Sequence, residues 1–564
     1  MDNIQNNTWQ EPTSGSMPQQ NPMPNTSAVP RPAPGPAPVY SQPGGPTPVP
    51  QPPKKQDTEQ TKKMKENFQI FGVASFFYAC LYAFCMYRNS SGLTYPFFIA
   101  GSLLYICFCF AKLGISLKKG SSFYMISMML LAVSTFCTDD GRIIALNKLG
   151  IFLLTISFLL AAIYDTGKWK LGKYIGAICQ TVFMAIGELG RPFGDAHWYM
   201  KNRMDRKNSK LVYMLLGLVI ALPILMVVFA LLNSADAVFR DMASRLLEHF
   251  SLGNILLVLF MWAFMFFASY CIVSYLCKKE INQEVKDHRR GEPLIAITIA
   301  ALLTLLYLVF SVIQIVYLFM GKMTLPSGYT YAEYAREGFF QLLAVSILNL
   351  IFVLTGLNFF KESRILKGIL TVMSLCTYIM IASSAMRMII YIRWYYLTFL
   401  RIFVLWSLAV LFLIFTGVII SILKESFPLF RYSMVVVTLC YLVLSFSHPD
   451  YWIAKVNLAS TDLETRSEFF EGEPYEDYRF LSRLSADAAP VILDLMGYEA
   501  AVYFQTEDLS EMASELGYRS NSRQGFGYYY LDRLKEGNEN SSFRTFNISR
   551  YMAEQKIRSI TFEN

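Results

Sequence analysis

The sequence predicts an all-α, polytopic transmembrane helical bundle of about eleven spans. A disordered Pro-rich N-terminal arm precedes it and a small helical C-terminal module follows it outside the bilayer. Three observations carry this reading. The 564 residues are 54% hydrophobic and only 16% charged, whereas soluble domains run nearer a quarter charged. The charge deficit is concentrated in apolar windows of ~18 residues or more, the length a helix needs to cross the hydrocarbon core. Lys and Arg gather in alternate loops, as they do between spans. Backbone groups in lipid must be satisfied within their own segment, so windows of this composition are helices.

The arm, residues 1–67, comes first. Residues 1–53 hold 15 of the 24 prolines. A stretch such as VPRPAPGPAPVYSQPGGPTPVPQPP cannot bury enough apolar surface to fold and is expected to be disordered and partly extended. A protein that binds Pro-rich segments is a candidate partner; a plain tether is the simpler reading. The start lacks the basic-then-apolar pattern of a secretory signal. KKQDTEQTKKMKEN then supplies a basic flank to the first span.

The spans are read at 68–88, 94–115, 121–138, 143–164, 211–232, 252–276, 294–320, 339–360, 369–392, 400–423 and 432–449. They divide the chain into a four-span region (68–174), an interfacial helix with a basic loop (175–210), a seven-span core (211–454) and an acidic tail (455–564). With the N-terminus in the cytoplasm, the inner loops hold Lys118, Lys119, Lys168, Lys170, Lys173, residues 201–210 and 278–290, Lys361, Arg364, Lys367, Lys424 and Arg431. The outer loops are neutral, acidic or mixed. The segment 175–190 is short for a span and carries Glu188, so it is read as an interfacial or re-entrant helix on the inner side. Were it to span, the tail would move to the cytoplasm.

The tail from Ser460 to Asn564 has 19 acids against 11 Lys and Arg, opposite in sign to the remainder. This predicts a tail on the extracytoplasmic side. EDYRFLSRLSADAAPVILDLMG has helical spacing and a stop at Gly497. TEDLSEMASELG offers Thr506 as a cap and Gly517 as a stop, and Asn547 caps NISRYMAEQKIRSI.

Several chemistries are excluded. No basic, aromatic-interleaved soluble module points to nucleic acid. All ten cysteines lie in or beside apolar segments, which argues against a disulfide framework or a thiolate metal site. The four histidines are scattered, and no nucleotide-binding or hydrolase motif is found. No cofactor is therefore expected. The bilayer is the partner the composition demands, and the sequence leaves oligomeric state open.

Candidate site residues come from polar groups near the outer ends of spans. In TYAEYAREGFF, Thr330 and Glu333 have capping-box spacing, so a helix begins near Tyr331. Glu333 suits its N-terminal dipole. Arg336 and Glu337 follow near the interface. Arg387 lies within a span, Tyr391 one turn on, and Arg401 opens the next span. Asp236 and Arg240 flank an earlier span, and Asp450 follows the last. Charged groups within spans are costly and tend to pair or line a cavity. Together these nine residues, Asp236, Arg240, Glu333, Arg336, Glu337, Arg387, Tyr391, Arg401 and Asp450, form a candidate outer-face binding pocket. Snorkelling and structural pairing are the plainer alternative. The adjacent acids Asp139 and Asp140 resemble those of lipid-linked glycosyltransferases, in a shorter loop.

Five stretches in order, NSADAVF (233–239), YAEYAREGFFQLLAVS (331–346), AMRMIIYIRWYYLTFLRIFVLW (385–406), HPDYWIAKVNL (448–458) and YRFLSRLSADAAP (478–490), resemble a bacterial family of multi-pass membrane proteins. That family is known only as a domain of unknown function, the four-one-seven-three type. The resemblance covers roughly residues 210–490. It implies a shared architecture and no activity. Where a Tyr-Gly-Leu-Thr turn is expected before Arg401, this chain has Tyr395-Tyr396-Leu397-Thr398.

The expected function is non-enzymatic transport of a small polar or lipid solute in the bacterial cytoplasmic membrane. A membrane sensor or scaffold for an envelope partner is the alternative. An envelope lipid- or sugar-modifying enzyme is the third class, with Asp236, Glu337 and Asp450 as its acids.

Overall fold

The computed structural model describes residues 57–169, 171–203, 217, 221, 224–225, 227–229, 231–247, 252–281, 289–316, 331–459, 480–496, 530–535, 537 and 542–563. The Pro-rich arm to Gln56, most of the 211–232 span, and the Thr506–Gly517 helix lie outside them. Among the described residues the regular elements are helices. In order they are α1 (Glu59–Glu66), α2 (Phe68–Met86), α3 (Thr94–Leu113), α4 (Ser121–Cys137), α5 (Gly141–Ile163), α6 (Leu171–Ile186), α7 (Arg191–Arg203) and α8 (Ala237–Leu247). There follow α9 (Leu252–Cys277), α10 (Pro293–Gln314), α11 (Tyr331–Phe359), α12 (Arg364–Tyr395), α13 (Phe399–Leu423) and α14 (Leu429–Phe446). Last come α15 (Pro449–Ala459), α16 (Ala489–Met496) and α17 (Ile548–Glu563).

Among the described residues nine helices, α2, α3, α5 and α9 to α14, are long and apolar enough to cross a membrane. They match nine of the expected spans. α4 has 17 residues and packs on α3, α5 and α14, running between the same two ends. α7 lies at one end, where Arg203 meets Glu66 at 4.0 Å. Asn254, opening α9, lies at the other, where its Oδ1 accepts from Arg88 at 2.7 Å.

One end collects the basic loops. Lys118 Nζ donates to Tyr164 O at 2.7 Å, Tyr174 packs its ring 4.1 Å from that of Phe430, and Lys361 pairs with Glu292 at 2.6 Å. Arg289 pairs with Glu362 there, and Lys367 with Glu425. α6 also belongs to this end. Ala185 packs with Tyr275 and Leu276. Glu188 accepts from Ser274 at 3.4 Å and from Lys278. Its last turns and Glu188 thus stay against the last two turns of α9. A 16-residue helix rises only about 24 Å, and this one spends that length at one end.

The opposite end carries the α2–α3 and α4–α5 turns and the C-terminal module. Asn547 Nδ2 donates to Thr138 O at 2.9 Å and to Ser91 O at 3.3 Å. The same Asn547 caps α17, accepting from Ser549 N at 3.0 Å. The module has its own apolar core, in which Ile453, Ala454, Leu481, Leu484, Ile492, Leu493, Tyr530, Leu531 and Ala553 are buried. The helix expected through Gly497 is broken at Leu484 and Ser485, and a short 3₁₀ turn, Ala486–Ala488, leads into α16. Its backbone is drawn elsewhere: Ser485 N donates to Asp450 Oδ2 at 2.9 Å.

Two packed groups make up the bundle. α9, α2, α3, α4 and α5 surround a core that includes Phe110, Met128, Leu131 and Phe158. α10, α11, α12 and α13 surround two further clusters, around Val353 and Met373 and around Phe339 and Phe415. α14 bridges α13 to α4. A buried polar knot secures that bridge: Ser445 Oγ and Tyr441 OH each donate to Asn147 Oδ1 at 2.7 Å.

Candidate functional site

Of the nine residues expected to share an outer pocket, six have described side chains. Asp236 accepts from Val238 N at 2.7 Å and Phe239 N at 3.3 Å, capping α8. Arg240 donates back to Asn233 O at 2.9 Å. Both stay exposed on their own turn. Glu333, Arg336 and Glu337 are on the first turns of α11, and their side chains lie outside the described residues.

Arg387, Tyr391 and Arg401 do come together. Arg387 is buried on α12 and lies flat against Gly338 of α11, where a Cβ would stand 2.8 Å from its Cζ. Tyr391 stacks on Phe339 at 5.9 Å, and the Arg401 guanidinium covers the Tyr391 ring at 4.3 Å. Arg401 Nη1 also donates to Tyr395 O and Tyr396 O. A cation on the last carbonyls of a helix is favoured by geometry and dipole alike. The turn it holds is unusual, since Tyr396 has φ 63° and ψ −180°, a region almost reserved for glycine. This is the turn in which the resemblance noted in the sequence implied a glycine. Asn457 clamps the next residue from the other side, accepting from Leu397 N at 2.8 Å and donating to Leu397 O at 3.0 Å.

Asp450 belongs to a second cluster at the same end. Arg142 forks onto Asp140, with both bonds at 2.9 Å, and also reaches Asp450. Asp487 accepts from Asp139 N at 2.9 Å, from the Thr138 and Ser549 hydroxyls, and faces His448 Nδ1 at 3.3 Å. Asp139 accepts from Arg550 at 2.7 Å. These contacts fasten α5, the α14–α15 corner, the 3₁₀ turn and α17 to one another. Sequence reasoning saw Asp139, Asp140 and Asp450 but had no route to Asp487, Arg142 or Arg550, because only the fold of the tail brings them together.

Electrostatics follow from burial and partners. Burial, then the neighbouring Asp140 charge, pushes the Asp450 carboxyl up, with Arg142 opposing. Burial likewise raises Asp139, against Arg550. For Asp487 burial also acts upward, but the hydrogen bonds from His448, Ser549, Thr138 and Asp139 N outweigh it and hold the carboxyl below its ordinary value. The hydrogen bond to Asp487 raises His448 despite its burial. Each of the four carboxylates has protein donors, so the cluster works as a fastening. Among the described residues no group of three or more His, Cys, Asp or Glu is arranged to hold a metal ion.

A large crevice lies elsewhere, between the two helix groups, with a volume of about 1050 Å³. Its walls are apolar, including Leu149, Leu153, Leu354, Val418, Val437 and Trp406. It extends along α5 from Leu146 to the Gly167 turn, about 25 Å at 1.5 Å per residue. Its mouth is at the basic end, rimmed by Arg289, Lys361, Lys367 and Arg431 with Glu362 and Glu425. In the sequence these cations served only to assign loops to a side; nothing in their spacing marked a shared rim.

A family model described as Domain of unknown function (DUF4153) matches residues 125–495. The expectation of a membrane-protein family without assigned activity is met, with the designation 4153 where the motifs had suggested the 4173 type. No curated protein and no solved structure matches the chain.

Proposed function

Because the chain belongs to the DUF4153 family, which brings no activity with it, we propose from geometry alone that this multi-pass membrane protein takes an amphipathic, lipid-like solute into the crevice and moves it. The observation that carries this reading is the crevice itself: about 1050 Å³, apolar along its length and charged only at one mouth. Small-molecule sites run to ~1,000 Å³ and are mostly apolar with a few placed polar groups. A small polar solute would gain nothing from walls of Leu, Val and Trp, so the lipid half of the expected substrate range is the better supported. Of the acids named for the enzyme reading, Asp450 is taken up by Arg142 and Ser485 N, and Asp236 caps its own helix.

The same reading sets the protein in the bacterial cytoplasmic membrane with its basic end in the cytoplasm, since cytoplasmic loops carry the excess of Lys and Arg. The C-terminal module then sits on the extracytoplasmic side.

The test fills the crevice. Val437 and Leu153 line it and stay partly open within it, so Val437→Trp and Leu153→Trp have room. In native mass spectrometry the purified protein should retain lipid, and each variant should lose about tenfold of it, ~1.4 kcal/mol, without a fall in melting temperature. In proteoliposomes, movement of a labelled lipid between leaflets should fall in step. A wild-type protein that retains no lipid and moves none above empty liposomes overturns the proposal.

A further inference from the structure

We propose that the crevice mouth reads the phosphate of an anionic membrane phospholipid, with Arg431 as the cation that meets it. This rests on the lipid reading above and narrows its ligand class. Four cations and two carboxylates line the mouth, with Glu292 beside Lys361 and Asp165 on the Gly167 turn next to it. Three of the cations already have carboxylate partners: Arg289 with Glu362, Lys361 with Glu292 at 2.6 Å, and Lys367 with Glu362 at 3.6 Å and with Glu425.

Arg431 differs. It opens α14 at the mouth, and among the described residues it forms no ion pair. Its guanidinium lies against Gly167, where a Cβ would stand 3.0 Å from Nη2. The one acid on that turn, Asp165, accepts from Gly167 N at 3.3 Å. The same Cβ would stand 3.3 Å from Asp165 Oδ1, so the guanidinium lies beside that carboxylate at the edge of the apolar space. Guanidinium offers a forked set of donors that matches phosphate oxygens two at a time. An anionic phosphodiester over two acyl chains presents the same order of charge and oil as the site: a negative head at the rim and apolar chains along α5, α13 and α14. A free phosphate has no use for the walls, and a zwitterionic head brings its own cation beside Arg431.

The experiment is lipid retention by the purified full chain, measured by native mass spectrometry. Phosphatidylglycerol, phosphatidylcholine and diacylglycerol with identical chains are offered separately. Phosphatidylglycerol should be retained about tenfold better than phosphatidylcholine, ~1.4 kcal/mol, and diacylglycerol least. Arg431→Gln should erase the preference for phosphatidylglycerol while phosphatidylcholine retention and the melting temperature stay level. Lys424→Gln, which removes a basic residue outside the mouth, should leave the preference intact. Millimolar inorganic phosphate should not displace the lipid. Equal retention of the three lipids, or a preference that survives Arg431→Gln or is lost equally in Lys424→Gln, overturns the headgroup assignment and leaves the crevice reading standing. Displacement by inorganic phosphate overturns the lipid as the source of the anion. Retention of none of the three removes both.

Discussion

Arg387 lies on Gly338, and the contact works only because residue 338 has no side chain: a Cβ there would collide with Nη1 and stand 2.8 Å from Cζ. The buried guanidinium thus fits a notch in the neighbouring helix, and α11 and α12 are keyed to one another at that level.

Gly338→Leu is expected to evict Arg387 and destabilise the protein by about 1–3 kcal/mol, the usual range for overpacking. Adding Arg387→Ala should recover a good part of that loss, because the two changes share one contact and are not additive. Melting temperatures of the single and double variants in detergent check this. Strict additivity would sink the keyed contact.

Tyr396 holds φ 63° with ψ −180°, a conformation that costs a non-glycine residue roughly 1–3 kcal/mol. Arg401 and Asn457 hold the turn in place. Tyr396→Gly and Tyr396→Ala both lose the ring, but only the first relieves the backbone. The glycine variant should therefore be about 1 kcal/mol more stable than the alanine variant. Denaturation of the two side by side decides it; equal stability would mean that the turn carries no strain.

Arg142 neutralises Asp140 and Asp450, whose side chains are each 2% exposed. Arg142→Gln leaves those two acids facing one another. Breaking a fully buried pair costs about 3–5 kcal/mol, but Arg142 is 41% exposed, so about 2 kcal/mol is expected after solvent screening. Asp450→Asn in the same background should recover part of it. Hydrogen exchange of α15 reads the effect directly, since α15 would open before the bundle melts.

Docking of the C-terminal module should depend on pH. His448 is raised above its ordinary value by Asp487, so its contribution is complete below ~6.5 and is lost as pH rises through its folded value. Asp139 and Asp450 are also raised, chiefly by burial, and so favour docking in the same direction. Asp487 is lowered; its contribution is present above ~3.9 and fades as pH falls through its own folded value. Protection of α17 from hydrogen exchange should accordingly be greater at pH 5.5 than at pH 8.5 after correction for intrinsic rates. His448→Gln should shrink that difference. A protection profile that rises with pH would contradict the assignment.

Much of the architecture was legible in the sequence, and for a physical reason. A helix in lipid is specified locally, by an uninterrupted apolar window and by the Lys and Arg that flank it. Nine of the expected spans could therefore be placed from residues within them. What no local rule supplied was which helices touch. Arg387, Tyr391 and Arg401 could be grouped because they sit near one another along the chain at a common helix end. Asp236 caps its own helix, a local role that its place before Ala237 already allowed. The fastening of Asp487 to Thr138, 349 positions away, and to His448 and Ser549 joins segments that no local pattern links. The crevice is space between helices, and space has no residues of its own in a sequence.

The amino-acid order by itself determined that this chain is a helical membrane protein and where nine of its spans run, since backbone satisfaction acts over a single segment. Only tertiary structure decided that the acids near the tail serve as a clasp, that a tyrosine occupies a glycine's conformation, and that scattered loop cations meet around one oily cleft. Those outcomes depend on packing between segments far apart in the chain, which side-chain pattern within any one of them does not encode.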